Sequence, residues 1–530
     1  MPGFANPAFG YRPPTVPAGG IERARVVIVG GGPVGLSAAL DLARQGIASI
    51  VLDEEDTVST GSRAICYAKR TLEIWDRLGV GERMLGKGVT WQVGRVFHGP
   101  QQRYSFDLLP EQGHRFPAFI NLQQYYAELY LVEAARDCPQ IDLRWKHRVA
   151  EVQAGNDSIR LGVETPDGAY TLVADYVLAA DGARSTVRRQ LGLDFRGQVF
   201  EDRFLIADVH MTADFPSERW FWFDPPFHSG GSALLHKQPD NIWRIDLQLG
   251  WQADPEAERQ PERVIPRLKA MLGQDTAFEL DWVSVYTFQC RRLDRFRHGR
   301  VLFIGDSAHQ VSPFGARGAN SGVQDADNLA WKLAHVLRGE APDRLLDTYD
   351  SERVAAAEEN ILHSTRSTDF IVPRNPVARV LRDAVLELAG EHAFARRMVN
   401  SGRLSLPAVY GDTPLSTPDR DAFAGGPVPG APAVDAPLGA GGSDDWLLRR
   451  CQSGFSLLAF DAEDIGVPAV LRDRLAVIRL PVGGEAGRRY DAAPGTAYLL
   501  RPDQHVAARW RQPTSNDISM AYERALARMA

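Results

Sequence analysis

The chain has 530 residues, 44% of them hydrophobic and 24% charged, with a formal net charge of −7. That length exceeds what one hydrophobic core supports and calls for two or three domains, while the ordinary apolar and charged balance excludes a disordered or fibrous chain. Arg and Lys are interleaved with Asp and Glu, so no basic stripe for nucleic acid is present.

No apolar run approaches the roughly 20 residues of a bilayer span, and the Pro- and Gly-rich opening lacks the apolar core of a secretory signal. A cytoplasmic protein without a membrane partner, working on small molecules, is expected. The four cysteines, Cys66, Cys138, Cys290 and Cys451, are too scattered for a zinc site or a redox dithiol and read as buried thiols, with no metal site encoded.

Residues 1–21 read as a flexible arm. Arg25-Val-Val-Ile-Val-Gly30 is then a β-branched run of the kind found in buried parallel strands. A helix over Leu36–Gln45, stopped by Gly46, and a strand over Ala48–Asp53 complete a βαβ unit. Helices over Lys69–Leu78 and Gln124–Arg136 follow, and a strand over Ala174–Ala179 runs into Asp181-Gly182. From about residue 200 the pattern alternates, as in Ser232–His236 and Trp243–Leu249 around Gln238-Pro-Asp-Asn, which predicts an inserted antiparallel sheet. A strand over Arg300–Ile304 and a helix over Ala319–Arg338 return to the first domain.

The nucleotide-binding domain is thus assembled from 22–98, 116–195 and 291–400, and the substrate domain from 99–115 and 196–290. Residues 401–443 have a linker composition. A separate α/β module occupies 444–530, with strands near Ser456–Phe460, Ala476–Leu480 and Ala497–Leu500 and a last helix over Ile518–Met529.

Gly30-Gly-Gly32-Pro33-Val-Gly35 fits GxGxxG between a strand and a helix, where glycines let the backbone and the helix N-terminus approach a pyrophosphate. Asp53, with Glu54 beside it, lies near the ~20-residue spacing expected of an acid that binds a ribose hydroxyl. This motif alone leaves FAD and NAD open. In Gly299-Arg-Val-Leu-Phe-Ile-Gly305-Asp306, a strand ends in a carboxylate suited to a sugar alcohol such as ribityl. The following turn, Ser312-Pro313-Phe-Gly315-Ala-Arg317-Gly318-Ala319-Asn320, opens a helix whose positive end would stabilise a reduced flavin. His309 reads as loop packing.

The Gly-rich turn, Asp181-Gly182 with Arg184-Ser185, and Gly305-Asp306 together resemble the three fingerprints of the single-component FAD-dependent aromatic hydroxylases of the p-hydroxybenzoate hydroxylase fold, over roughly residues 23–400. The resemblance implies a Rossmann-like FAD domain, FAD as cofactor, and NADPH or NADH and O₂ as co-substrates. It implies that Asp181 serves FAD and NAD(P)H together, that Asp306 contacts ribityl, that Arg63 and Gln124 contact FAD, and that Pro313 with Gly318, Ala319 and Asn320 lies at the flavin. The length and the extra module resemble the branch with phenol hydroxylase and 3-(3-hydroxyphenyl)propionate hydroxylase, whose last domain is thioredoxin-like. The absence of CxxC here points to a structural or assembly role for it, and leaves room for a homodimer.

One position departs from that branch. Where relatives can carry an acid or His after the Arg-Ala pair, this chain has Ile65, which cannot take a proton. On the strand Trp243–Leu249, Arg244, Asp246 and Gln248 share one face. By resemblance Arg244 takes the place of an Arg that touches the mobile flavin and Asp246 that of a substrate-touching residue; the alternative is a polar face turned to water. Trp222, His236 and Tyr286 are further candidates for contacting a phenol, though each also suits a packing role.

The expected activity is hydroxylation of an aromatic small molecule, phenols first among them, in which reduced flavin takes up O₂ as a C4a-hydroperoxide that the ring attacks. The alternatives are another monooxygenase of the same fold, of epoxidase or Baeyer–Villiger type, and a flavin-binding scaffold. A halogenase is disfavoured by the absence of the lysine expected between the Trp-rich motif and the flavin turn.

Overall fold

The computed structural model describes residues 4–373, 375–399, 405–439, 445–451, 453–462 and 465–529. Five parallel strands form the centre of the first sheet, in the spatial order Val301–Phe303, Gly168–Ala179, Ile21–Val29, Ser49–Asp53, Ile141–Trp145. Val26, Val27, Ile28 and Val29 are all buried, in one core with Leu36 and Leu40 of helix Pro33–Arg44, Leu131 of helix Gln124–Arg136 and Val323 and Leu329 of helix Gly318–Leu337. The order reverses between Ile21–Val29 and Gly168–Ala179, so the binding crevice opens beyond the carboxyl ends of those strands. Gly30, Asp181 and Gly305 all follow strand ends on that edge.

The second sheet has eight strands, in the order His309–Gln310, Glu279–Arg292, Arg196–His210, Ile242–Gly250, Ser232–Lys237, Arg219–Phe223, Val93–His98, Gln101–Asp107. One face packs Ala207, Leu235, Trp243 and Ile245 against Val264 and Leu268 of helix Pro261–Leu272. The other face packs Phe204, Phe223, Leu234 and Phe288 against Phe314 and Ile371, and so looks towards the crevice. Val93–His98 belongs to this sheet, which starts the first substrate segment before residue 99, and strand Glu279–Arg292 carries the second just past residue 290.

The opening segment is packed rather than loose. Phe9 stacks on Trp145 at 4.7 Å, Phe4 on Tyr125 at 4.2 Å, and the Arg12 carbonyl lies 2.9 Å from Nε2 of His147. The first strand already begins at Ile21. Residues 405–439, expected as linker, bury Tyr410, Leu415, Ala433 and Ala436; the rest of that stretch, 401–404 and 440–443, lies outside the described residues. Local composition reports turns and loops well, but it does not reveal whether a loop is tied down by side chains elsewhere.

The C-terminal module is a four-stranded sheet in the order Leu475–Leu480, Phe455–Phe460, Ala497–Leu500, Val506–Trp510, with the first two strands parallel and the rest antiparallel. A helix over Ser515–Ala525 follows, giving the thioredoxin-like arrangement. The helix starts earlier than periodicity alone indicates because Thr514 and Asp517 form a capping box. Cys290 and Cys451 are buried, whereas Cys66 and Cys138 are only half-buried. No helix among the described residues is long and apolar enough to cross a membrane.

Candidate active site

The Gly-rich turn has the shape a pyrophosphate requires. Gly30 has φ +109°, and a Cβ there would lie 2.4 Å from the Ala180 carbonyl oxygen; a Cβ on Gly35 would lie 2.0 Å from that of Gly30. Only glycine permits this approach of strand, turn and helix. A Cβ on Gly32, by contrast, would meet open space. Gly32 caps helix Pro33–Arg44 without a side-chain bond, and the first internal bond runs from Leu36 N–H to the Gly32 carbonyl. Pro33 has no N–H to offer, so the amides of Val34 and Gly35 are the ones left free for an anion.

Asp53 accepts from the Gly31 amide at 2.6 Å and from the Glu55 amide at 2.9 Å, while Glu54 beside it is exposed. Asp181 accepts from the Val187 amide at 3.0 Å through Oδ2, but its buried Oδ1 has no partner. Burial raises both carboxyls above their ordinary range. An unpartnered buried oxygen at a sheet switch point is the feature a bound dinucleotide would satisfy.

Gly305 has φ +65° and donates its amide to Asp325 at 2.9 Å. Asp325 also pairs with His309 at 2.7 Å and Arg353 at 2.6 Å, which makes His309 part of the scaffold under the motif. Asp306 is exposed, yet the protein around it raises its carboxyl above the ordinary range. A Cβ on Gly318 would sit 4.0 Å from Asp306 Oδ1, so the start of helix Gly318–Leu337 lies against that carboxylate. The Gly318, Ala319 and Asn320 amides precede the first helical bond, from Ser321 to Arg317, and are free donors. Pro313 is exposed in the turn before them, and its carbonyl accepts from the Gly315 amide at 2.8 Å.

The Asn320 side chain is fully engaged within the protein. Its oxygen accepts from the Ala68 amide at 2.8 Å and Thr71 Oγ1 at 2.6 Å, and its NH₂ donates to the Cys66 carbonyl at 2.9 Å and the Ala316 carbonyl at 2.5 Å. All four of the amide's bonds are used. The side chain pins the flavin turn to the segment after Arg63 and leaves only its backbone amide for a cofactor.

Arg63 has an exposed side chain and φ +43°. Gln124 holds the next residue in place, its Oε1 accepting from the Ala64 amide at 3.2 Å. Arg244 was expected at the mobile flavin, and the structure gives it another task. It is buried, with Nε donating to Asp208 Oδ1 at 3.0 Å, Nη1 to the Arg63 carbonyl at 2.6 Å, and Nη2 to Ser62 Oγ and Asp208. One of its five N–H groups remains. Arg244 therefore ties the Arg63 loop to the substrate sheet, through Asp208 and Ser62, two residues that the sequence pattern did not single out.

Asp246 is half-buried on the crevice face, and its Oδ1 has no partner. Burial pushes its carboxyl up to about 6, with Arg244 and Arg219 pulling the other way and Asp208 adding to the rise. In register it sits opposite Leu234 and Ile206, and Leu234 sits opposite Phe221, which gives an apolar row around one carboxylate. His236 shares this face opposite Arg244, buried, with Nδ1 unpartnered; burial and the two arginines hold it well below its ordinary pKa. Tyr286, 41% exposed, lies opposite Phe204 on the same face. Trp222 does not belong with them. It pairs with Ala233 and stacks on Phe97 at 5.0 Å, on the face covered by helix Pro261–Leu272. Alternation places it opposite in sense to Phe221 and away from Asp246.

A family model described as "FAD binding domain" matches residues 23–364. The chain belongs to this family of FAD-dependent aromatic hydroxylases. It is 34% identical to the 6-methylpretetramide 4-monooxygenase of Streptomyces rimosus over 76% of this chain and 72% of the relative. It is 31% identical to the para-nitrophenol 4-monooxygenase of Pseudomonas sp. (strain WBC-3) over 69% of this chain and 91% of the relative. The fold is shared with the flavin-dependent monooxygenase PieE, solved with FAD and substrate, at TM-score 0.81 and 22% identity over 96% of this chain and 99% of that one. The chain is a flavoprotein monooxygenase, and FAD is its cofactor.

Asp306→Ala removes a charge-assisted acceptor of the kind worth about 1.5–3 kcal/mol. The FAD dissociation constant is expected to rise by about ten- to hundredfold with the fold retained. An unchanged constant would place Asp306 away from the flavin.

Proposed function

We propose that the protein uses NAD(P)H and O₂ to hydroxylate an aromatic small molecule that carries a ring hydroxyl, and that Asp246 orients and deprotonates that hydroxyl. The observation that carries this reading is the unpartnered Asp246 carboxylate in an apolar row of the crevice face. When bound, FAD supplies electrons taken from NAD(P)H and the activated oxygen. This chain's residues supply the rest. Phe221, Leu234 and Ile206 exclude water from a ring, and Asp246 accepts a proton from its hydroxyl, because an ionised ring oxygen makes the ring a better nucleophile. Arg244 positions the Arg63 loop against the substrate sheet. The activities of the two relatives, on 6-methylpretetramide and on para-nitrophenol, support phenolic chemistry.

The test is a panel of phenols, hydroxyindoles and polycyclic phenols, scored for stimulated NAD(P)H oxidation and for hydroxylated product. Stimulation with product by at least one phenolic class is expected; no stimulation by any of them rejects the reading.

The raised carboxyl also sets a pH dependence. Asp246 can take a proton only when ionised, so product formed per NAD(P)H consumed should fall as pH drops through about 6 and recover above it. In Asp246→Asn that inflection should vanish. A wild-type profile flat from pH 5 to 8 would show that Asp246 does not titrate in the working enzyme.

A further inference from the structure

Arg353 lies on helix Leu345–Ile371, outside every cofactor motif, and is 1% exposed. Its guanidinium joins parts of the chain that do not otherwise share a side chain. Nε donates to Asp325 Oδ1 at 2.6 Å, and the other oxygen of that carboxylate receives the Gly305 amide at 2.9 Å. Nη2 donates to the Ser321 carbonyl at 3.1 Å and to Ser321 Oγ at 2.9 Å, in the first turn of helix Gly318–Leu337. Nη1 turns away from the cofactor domain and donates to the Tyr410 hydroxyl at 2.9 Å.

Tyr410 is built onto the C-terminal module. Its amide donates to the Gly430 carbonyl at 2.9 Å, and the Gly430 amide donates to the Val506 carbonyl at 2.8 Å, on strand Val506–Trp510. Gly430 has φ +87°, and a Cβ there would lie 2.2 Å from the Tyr410 carbonyl oxygen, so only glycine lets the two segments lie this close. The Tyr410 ring stacks on His505 at 4.6 Å and is 6% exposed. Its hydroxyl therefore moves only with the module.

Buried ion pairs add little net stability over apolar packing, and their best-attested use is to fix one arrangement. Burial works against an ionised Asp325, but His309 and Arg353 hold its carboxyl below the ordinary range. It remains a charged acceptor for the Gly305 amide, and such a bond is roughly twice as strong as a neutral one. The same guanidinium that secures Asp325 also fixes Ser321, next to the free amides of Gly318, Ala319 and Asn320. Both elements that face the cofactor thus hang on one side chain.

We infer that Arg353 is a positioning residue for FAD, and that the C-terminal module, through Tyr410, holds Arg353 and with it the Gly305-Asp306 turn and the start of helix Gly318–Leu337. The module then sets the redox balance of the cofactor as well as its retention. The helix start is the positive end of a dipole, and reduced flavin is the more negative form. Slackening this end costs reduced FAD more than oxidised FAD.

The test uses the full-length holoenzyme without substrate, and reads the FAD dissociation constant and the midpoint potential of bound FAD. Tyr410→Phe removes only the oxygen that receives Arg353. Its FAD dissociation constant should rise about 3- to 10-fold, a fraction of the effect of a direct charged bond. Affinity for reduced FAD should fall about 3- to 10-fold further, which lowers the two-electron midpoint by about 15–30 mV. Arg353→Lys keeps a cation beside Asp325 but loses the planar fork, and should shift both readouts in the same direction. A folded variant that holds no FAD is the limit of the same result.

Arg344→Ala is the control, because it removes another tie to the module, the 2.9 Å bond from Arg344 Nε to the Ala527 carbonyl, far along the helix from Arg353. Both of its readouts should stay within about twofold of wild type, the spread expected when no bond on the path is lost. Wild-type affinity and potential in Tyr410→Phe and Arg353→Lys, even with a lowered denaturant midpoint, would make Arg353 a fold element only and overturn the inference. Equal shifts in Arg344→Ala and Tyr410→Phe would overturn it as well, since docking in general and not Arg353 would then be responsible.

Discussion

Asp246→Ala is expected to retain FAD and NAD(P)H oxidation and to lose most of its hydroxylated product, with hydrogen peroxide released in its place. A positioned general base contributes about 10²–10⁴-fold to the step it serves, and none of the other predicted substrate contacts offers this chain a substitute. Ile65 cannot accept a proton. His236 is buried beside two arginines, which disfavour its taking a proton. The measurements are product per NAD(P)H consumed and the single-turnover rate of oxygen transfer. Both within about twofold of wild type, far below that general-base contribution, would reduce Asp246 to a packing residue.

The second large effect concerns how the C-terminal module is held. Arg501, in that module, donates to Glu352 of helix Leu345–Ile371 at 2.7 and 3.1 Å and to Asp503 at 3.0 Å. Lys332, from helix Gly318–Leu337, reaches the same Glu352 at 2.7 Å. Arg501, Lys332, Glu352 and Asp503 make two positive and two negative charges, each at most 1% exposed as a side chain. Arg501 and Lys332 hold the Glu352 carboxyl well below its ordinary range, and burial lowers the Lys332 ammonium to about 8.

Removing Arg501 leaves Asp503 without its cation and Glu352 with Lys332 alone, and breaking a buried pair in this way costs about 3–5 kcal/mol. Arg501→Ala should therefore lower the denaturant midpoint for unfolding of the module, with the sheet of the FAD domain least affected. A midpoint equal to wild type would mean that the apolar contacts around Trp331 and Phe455 hold the module without the charges. Since helix Gly318–Leu337 begins at the flavin turn, FAD retention in the same variant reports whether module docking supports the cofactor site.

The features that sequence made legible are those set by local backbone chemistry. The Gly30 turn needs positive φ and a close strand, Asp181 and Gly305-Asp306 follow buried strands, and each can be read from a few neighbouring residues. What escaped depends on partners far along the chain. Arg244 meets Ser62 across 182 positions and Asp208 across 36, so the pattern that placed it on the right strand face could not say that its donors were already taken. Asn320 sits in the right turn, but its four partners come from Cys66, Ala68, Thr71 and Ala316. Trp222 lies on a strand whose inward face is fixed only by pairing with Val93–His98 and Ser232–Lys237.

The most direct test of the account is oxygen transfer itself. The FAD-loaded protein, incubated with NAD(P)H, ¹⁸O₂ and the phenols that stimulate NAD(P)H oxidation, should yield a hydroxylated aromatic containing one ¹⁸O atom, read by mass spectrometry. Product oxygen drawn from water, or NAD(P)H oxidised to give peroxide with no oxygenated aromatic from any of those phenols, would contradict it.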